Sequence, residues 1–241
     1  MTDTFGKALI AYLDGGTAIH EIERDDGRVE TTETGWYFTP FDKWSDVEKE
    51  VAGHAQGRVL EVGCGGGRIS KHLESMGLEV IGIDISPLAL EAARRYGASD
   101  CRLMDARELG FPENYFDTAS LLGNGLGLGG DVDDSRQLLS NLSRTVRLGG
   151  VLLASSINAT NTEEPAHLAY HDMNRARGRP AGLVRIRVNF EDLKGDWFDL
   201  LFLELHEIEP VVKGTGWEVV DMVMPDDPKD SRYGVVLGNT K

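Results

Sequence analysis

From Arg58 onward the chain alternates short apolar runs with amphipathic stretches, and no other property of the sequence restricts its fold so tightly. The apolar runs occupy residues 58–63, 79–84, 100–104, 116–122 and 150–157, with helical patterns between them at 68–76, 87–96 and 132–144. Strands that are apolar throughout, separated by helices with one apolar face, belong to a parallel sheet covered on both sides. Right-handed crossovers then fix the winding, and such sheets receive ligands beyond the carboxyl ends of their strands, where the strand order reverses. At 241 residues the chain has room for one such α/β domain with elaborations.

The first run carries the densest signal. Val59-Leu60-Glu61-Val62 flows directly into Gly63-Cys64-Gly65-Gly66-Gly67, and Ile69, Leu73 and Met76 continue at helical spacing. A strand that turns at once into a helix needs positive-φ residues, and a ligand approaching that backbone needs the missing Cβ. The helix after the turn adds unpaired N–H groups and a positive dipole end. Two carboxylates follow at one βα-unit intervals: Asp84 lies 21 residues after Gly63, and Asp105 lies 21 residues after Asp84. A carboxylate ending the second strand suits two ribose hydroxyls; one ending the third suits a base amino group. The dinucleotide fingerprint G-x-G-x-x-G fails in both registers, because Arg68 and Ser70 stand where its last glycine belongs, and a G-x-x-x-x-G-K-[ST] phosphate loop is absent.

The stretch Glu61-Val62-Gly63-Cys64-Gly65-Gly66-Gly67 resembles the first motif of class I S-adenosylmethionine-dependent methyltransferases, an acid-x-Gly-x-Gly-x-Gly pattern. Ile81-Gly82-Ile83-Asp84-Ile85-Ser86-Pro87 and Asp105-Ala106 resemble the next two motifs, and Phe111-Pro112-Glu113-Asn114-Tyr115-Phe116-Asp117 resembles the lead into the fourth strand. Leu148-Gly149-Gly150 fits the turn before the fifth, with Leu148 where the family often has proline. The resemblance implies a doubly wound, mostly parallel, seven-stranded Rossmann-like sheet with an antiparallel last strand. It implies S-adenosylmethionine as cofactor and S-adenosylhomocysteine as product. By the same resemblance Gly63, Cys64, Gly65 and Gly67 pass close to the methionine part of the cofactor. Glu61 organises the turn or reaches the amino group, Asp84 holds the ribose hydroxyls, and Ile85 packs on the adenine. Asp105 accepts from the adenine amino group while the Ala106 N–H donates to the ring. Asn124, in the glycine-rich stretch 123–130 after the fourth strand, is the further candidate for contact with cofactor or acceptor.

The flanks differ from this core. A helix over 5–13 leads to a hairpin, strands 17–24 and 28–34 around Asp25-Asp26-Gly27. Five aromatics, Trp36, Tyr37, Phe38, Phe41 and Trp44, then run into an amphipathic helix over 42–53 that includes Trp44, as a lid or as core packing. After the fifth strand come a helix over 163–177, a strand 184–190 of period two with a partner at 196–204, a short helix over 208–213 and two closing strands, 217–224 and 231–238. The expected division is one domain: an N-terminal lid or extension (1–57), the cofactor-binding core (58–157), an acceptor-side insertion (158–206) and a C-terminal helix with strands (207–241).

Formal net charge is −15, from 25 basic and 40 acidic residues, which disfavours a general nucleic-acid binder. Two cysteines, Cys64 and Cys101, show no metal spacing and suit a reducing compartment. With no apolar run near membrane-spanning length, a soluble cytoplasmic protein without a metal is the expectation. His167 and His171 share a helix face without the glutamate of H-E-x-x-H, and surface placement is expected of them. Arg175, Arg177, Arg179, Arg185 and Arg187 form a local basic cluster, read as a solvated face. The expected activity is methyl transfer to a small molecule by in-line displacement, which needs no nucleophilic side chain; the residues single out no general base. A cofactor-binding sensor without turnover and a nicotinamide-dependent oxidoreductase are the alternatives, the latter disfavoured by Arg68 and Ser70.

Overall fold

A computed structural model describes residues 2–16 and 18–241. The chain begins with α1 (Thr4–Leu13), β1 (Ile19–Arg24), β2 (Val29–Glu33) and α2 (Asp46–Ala52). The wound core follows as β3 (Arg58–Val62), α3 (Arg68–Ser75), β4 (Glu79–Asp84), α4 (Pro87–Tyr96), β5 (Cys101–Leu103), β6 (Phe116–Leu121), α5 (Val132–Thr145) and β7 (Val146–Ile157). Then come α6 (Pro165–Ala176), β8 (Leu183–Phe190), the two-residue β9 (Leu193–Lys194), β10 (Phe198–Leu201), α7 (Ile208–Val212), β11 (Trp217–Val223) and β12 (Arg232–Asn239).

The larger sheet has seven strands in the order β11-β12-β7-β6-β3-β4-β5. Every pair from β7 to β5 is parallel, and β12 runs antiparallel to both neighbours, so the last strand is reversed as expected. Its helices start and stop for local reasons. Ser86 caps α4 by accepting from Ala89 N–H, Pro87 supplies the first turn, and Gly97 ends the helix at φ 121°. Asp131 caps α5 in the same way through Asp134 N–H. The faces they cover bury Leu60, Ile83, Phe116, Leu121, Leu139, Leu152 and Tyr233, each side chain contributing about 1.5–3 kcal/mol by leaving water. Since β4 and β6 flank β3 on opposite sides, the winding reverses there. The turn 63–67 leaves β3 at that reversal.

The smaller sheet joins the N-terminal hairpin to the insertion after β7. Its order is β10-β8-β1-β2, with β9 folded back on β8. The hairpin β1–β2 closes at the expected Asp-Gly turn, where Gly27 N–H donates to Arg24 O at 2.9 Å. Strand β1 then pairs with β8 of the insertion, Ile22 opposite Val188 and Glu23 opposite Arg187. Both hairpins were legible locally, but their partnership was not.

Several boundaries move. The first hairpin strand was expected from Thr17, which lies outside the described residues. Helix α2 starts at Asp46 rather than residue 42, because Phe41–Lys43 form a 3-10 turn and Ser45 supplies the cap, accepting from Glu48 N–H at 3.1 Å. Strand β7 starts earlier than expected, at Val146, with Gly149 at φ 72° where its register against β6 shifts. The partner expected over 196–204 is strand only at Phe198–Leu201, since Leu203 leaves the pairing to enter the main core. Of the aromatic cluster, Phe38 and Trp44 are buried while Trp36 and Phe41 face solvent. It divides between packing and surface.

Candidate active site

Gly63, Gly65 and Gly67 have φ of 70°, 51° and 79°, so the notch expected from the sequence is present as left-handed backbone that favours glycine. Gly63 and Cys64 N–H both donate to Ile83 O, at 2.8 and 3.0 Å, which ties the turn to the end of β4. Gly65 N–H donates to Asp84 Oδ2 at 2.9 Å and Ser86 N–H to Asp84 Oδ1 at 2.9 Å. Asp84 therefore meets the notch. Burial pushes its carboxyl above the ordinary carboxylate range, opposed by these N–H groups. Ile85, beside it, is 54% exposed, an apolar side chain with no core role.

Asp105 arrives at the same rim because Met104 N–H donates to Asp84 O at 3.1 Å. Its carboxylate is held by its own neighbour: Arg107 Nη2 donates to Oδ2 at 2.6 Å and Nε to Oδ1 at 3.0 Å. That hydrogen bonding lowers its pKa. Ala106 packs partly buried against the main core. A carboxylate with four lone-pair sites retains capacity after a forked arginine, yet this acid is a half-buried ion-pair member rather than a free acceptor.

Two expected residues turn inward. Glu61 is buried beneath the turn and accepts from the Ser70 hydroxyl on α3. Burial raises its pKa to about 8. Its carboxyl ties β3 to α3 beneath the turn. Cys64 contributes backbone only, for its sulfur lies 3.1 Å from where a Cβ on Gly82 would stand, in a small cluster with Leu90, Ala93, Ala98 and Cys101. Contact with Cys101 and burial push that thiol up.

Across the notch from Asp84, the chain leaves β6 through Gly123 and Asn124. Asn124 has φ 67°, its N–H donates to Ser155 O at 3.0 Å, and its Oδ1 accepts from the Ser156 hydroxyl. The N-terminal segment closes over the top. A Cβ on Gly65 would stand 3.8 Å from the Phe5 ring, and one on Gly66 would stand 2.6 Å from Tyr37 O. Asp3 accepts from the Ser86 hydroxyl at 2.8 Å, which anchors α1 beside Asp84.

The remaining candidates are structural. His171 is buried rather than at the surface, because α6 packs that face under β8, and burial lowers its pKa. His167 lies against Arg24 at 3.1 Å. Three of the five arginines of the basic cluster are paired, Arg187 with Glu23 at 2.7 Å, Arg185 with Asp199 and Arg175 with Asp172, both at 3.2 Å, while Arg177 and Arg179 are exposed. Among the described residues no cluster of three metal-ligating side chains occurs, and no helix is long and apolar enough to cross a membrane.

Residues 59–150 match the family model described as a methyltransferase domain. The matched stretch is similar to that family's domain, and the wound sheet has the Rossmann-like fold of the class I S-adenosylmethionine-dependent methyltransferases. A solved S-adenosylmethionine-dependent methyltransferase from Bacteroides fragilis, in complex with S-adenosyl-L-homocysteine, shares the fold of this chain with a TM-score of 0.83 at 22% identity, covering 99% of this chain and 95% of that one. A ubiquinone biosynthesis O-methyltransferase of Xanthomonas oryzae pv. oryzae (strain PXO99A) is 30% identical over 112 residues, 44% of this chain and 45% of that protein. Its Bordetella avium (strain 197N) counterpart is 48% identical over 50 residues, 20% of this chain and 21% of that protein. The matched regions thus span less than half the length of these curated relatives.

The residues of this site fit S-adenosylmethionine. The turn is a cradle whose single Cβ, that of Cys64, points inward, a half-buried carboxylate closes one side, and polar atoms without partners lie on the other: Asn124 Nδ2 and Arg68 Nη1, among the described residues. Sequence reasoning used Arg68 only to reject a dinucleotide site and passed over Glu48. The available signal was a cation directly after the glycine turn together with an acid in the helix behind the aromatic cluster.

Proposed function

We propose that this chain transfers a methyl group from S-adenosylmethionine to a small-molecule acceptor in the cytoplasm. The observation that carries the reading is the hydrogen bond from Gly65 N–H to Asp84, which joins the cradle and the ribose-sized acid into one continuous edge. In that reading Gly63, Gly65 and Gly67 line the cofactor's chain, Asp84 takes the ribose hydroxyls, and Ile85 covers the adenine. Asp105 and Ala106 meet its edge, and Asn124 stands on the methyl-donating side. When bound, the sulfonium supplies an electrophilic methyl group. The chain's own part is to align the acceptor and keep the pocket dry.

The lid is assigned to residues 1–57, with Phe5 and Tyr37 over the notch, and the acceptor side to residues 158–206. A net charge of −15, without the basic footprint that a phosphate backbone requires, supports a small organic acceptor. So do the relatives named for ubiquinone biosynthesis. Two free, buried cysteines suit the cytoplasm.

Calorimetry with S-adenosylhomocysteine and NAD tests the cofactor, with binding of the first and not the second expected; Asp84→Ala lowers that affinity about tenfold to a hundredfold. Radiolabelled methyl transfer into a metabolite extract tests turnover. Tight cofactor binding with no labelled fraction would turn the reading into that of a sensor.

A further inference from the structure

The notch has a charged wall that its ribose side does not use. Arg68 opens α3 directly after Gly67, and its side chain is only 7% exposed, as is that of Glu48 on α2. The guanidinium lies 4.6 Å from the centroid of Trp44 and 5.4 Å from that of Trp36, and Nη2 donates to Glu48 Oε1 at 2.7 Å. The stacking and the ion pair fix its orientation. The pair is nevertheless single-pronged. Arg68 Nη1 and Glu48 Oε2, both buried, have no hydrogen-bond partner among the described residues. A forked pairing would have satisfied both.

The same guanidinium borders the end of β6, since a Cβ on Gly123 would stand 3.8 Å from Nη2. The next residue, Asn124, spends its Oδ1 on Ser156 and leaves Nδ2 buried without a partner among the described residues. Its left-handed backbone is a conformation few residues other than glycine adopt. An unpaired buried polar atom costs about 1–3 kcal/mol, more when charged. Three of them around one turn, two donors and one anionic acceptor, define a complement: a carboxylate for Arg68 and Asn124, an ammonium for Glu48. That is the head of an α-amino acid.

We propose that Arg68, Glu48 and Asn124 form a receptor for the α-amino-acid head of the cofactor. The assignment rests on the reading that this chain binds S-adenosylmethionine. Its span agrees with the sheet: Asp84 ends β4 and Asn124 follows β6, on opposite sides of β3, so the two ends of the ligand are held about two strand spacings apart, roughly 10 Å. Glu61, the acid of the glycine motif, is taken by Ser70 beneath the turn, which leaves Glu48 as the acid for the ammonium.

Calorimetry on the full chain tests this with two ligands, S-adenosylhomocysteine, which carries the head, and 5′-methylthioadenosine, which lacks it. Arg68→Gln, Glu48→Gln and Asn124→Asp are each expected to weaken S-adenosylhomocysteine at least about tenfold while methylthioadenosine stays within about twofold. Asn124→Asp keeps a residue tolerant of the left-handed backbone and an oxygen for Ser156, so it reads the receptor even where the buried pair cannot be altered without unfolding. Equal weakening of both ligands would make the three residues structural and overturn the receptor, as would unchanged S-adenosylhomocysteine affinity in all three variants. If instead wild-type protein saturated with S-adenosylhomocysteine binds free glycine, and only glycine binding is lost in the variants, the head belongs to the acceptor and the cofactor assignment falls. Wild-type protein that binds neither adenosyl ligand would remove the underlying reading itself.

Discussion

In the seven-stranded sheet Arg58 lies opposite Glu79, one βα unit further along the chain; in the smaller sheet Glu21 lies opposite Asn189, with the whole wound core between them. The first kind of pairing follows from neighbouring segments and a right-handed crossover. The second exists only because the completed core brings two distant hairpins together. The two sheets also differ in how they hold charge. Beneath the notch Glu61 is buried against one hydroxyl, whereas in the smaller sheet Glu23 receives Arg187 in two hydrogen bonds of 2.7 and 2.9 Å and Asn189 in a third.

The sharpest way to break this contrast is Gly67→Val. A side chain at φ 79° would put its Cβ 2.9 Å from that of Ala93, and strain plus overpacking cost about 4 kcal/mol. Urea unfolding should show the loss as a global transition, since the turn belongs to the wound core. A smaller effect comes from pH. Glu61 titrates at about 8 in the fold against 4.5 in an unfolded chain, so the folded state holds the extra proton between those values. Its contribution is complete below about pH 4.5 and is lost as pH rises through about 8, a few kcal/mol in all. Glu61→Gln should flatten that slope in denaturation curves taken from pH 5 to 9; an unchanged slope would show that Glu61 is not its source.

Ile186→Ala sharpens the comparison from the other side. It removes a buried side chain of β8 at about 2 kcal/mol, and hydrogen exchange should quicken in β1, β2 and β8 while β3, β4 and β6 stay protected. Equal quickening in both sheets would mean that they open as one unit. The smallest effect is expected at Glu23, whose pKa is lowered to about 2, chiefly by its hydrogen bond to Arg187. The stability it lends is present above about pH 4.5 and fades as pH falls toward 2, opposite in sign to Glu61. Arg187→Met should remove this acid-side dependence in a scan from pH 5 to 2.

The same division explains what the sequence could reveal. Strands such as Glu79–Asp84 and the helix Pro87–Tyr96 are set by adjacent residues, so periodicity located them. The positive φ of Gly65 and the nearness of Asp84 to it followed from motif spacing. Arg107 on Asp105, Ser70 on Glu61 and Glu48 on Arg68 did not, because each depends on where a long side chain turns after the backbone is placed. His171 was misjudged for the same reason: its exposure depends on β8, an element distant from it in pattern though near in space.

The antiparallel union of β1 with β8 also sets an order of events at the ribosome. The first hairpin emerges early and waits for a partner that synthesis, at about 5–20 residues per second, delivers on the order of ten seconds later. The wound sheet has most of its strands before that moment. Its cover is therefore fastened only after the strands around the cradle are made, and a chain stalled before Leu183 would carry the cradle with one border of its roof unstitched.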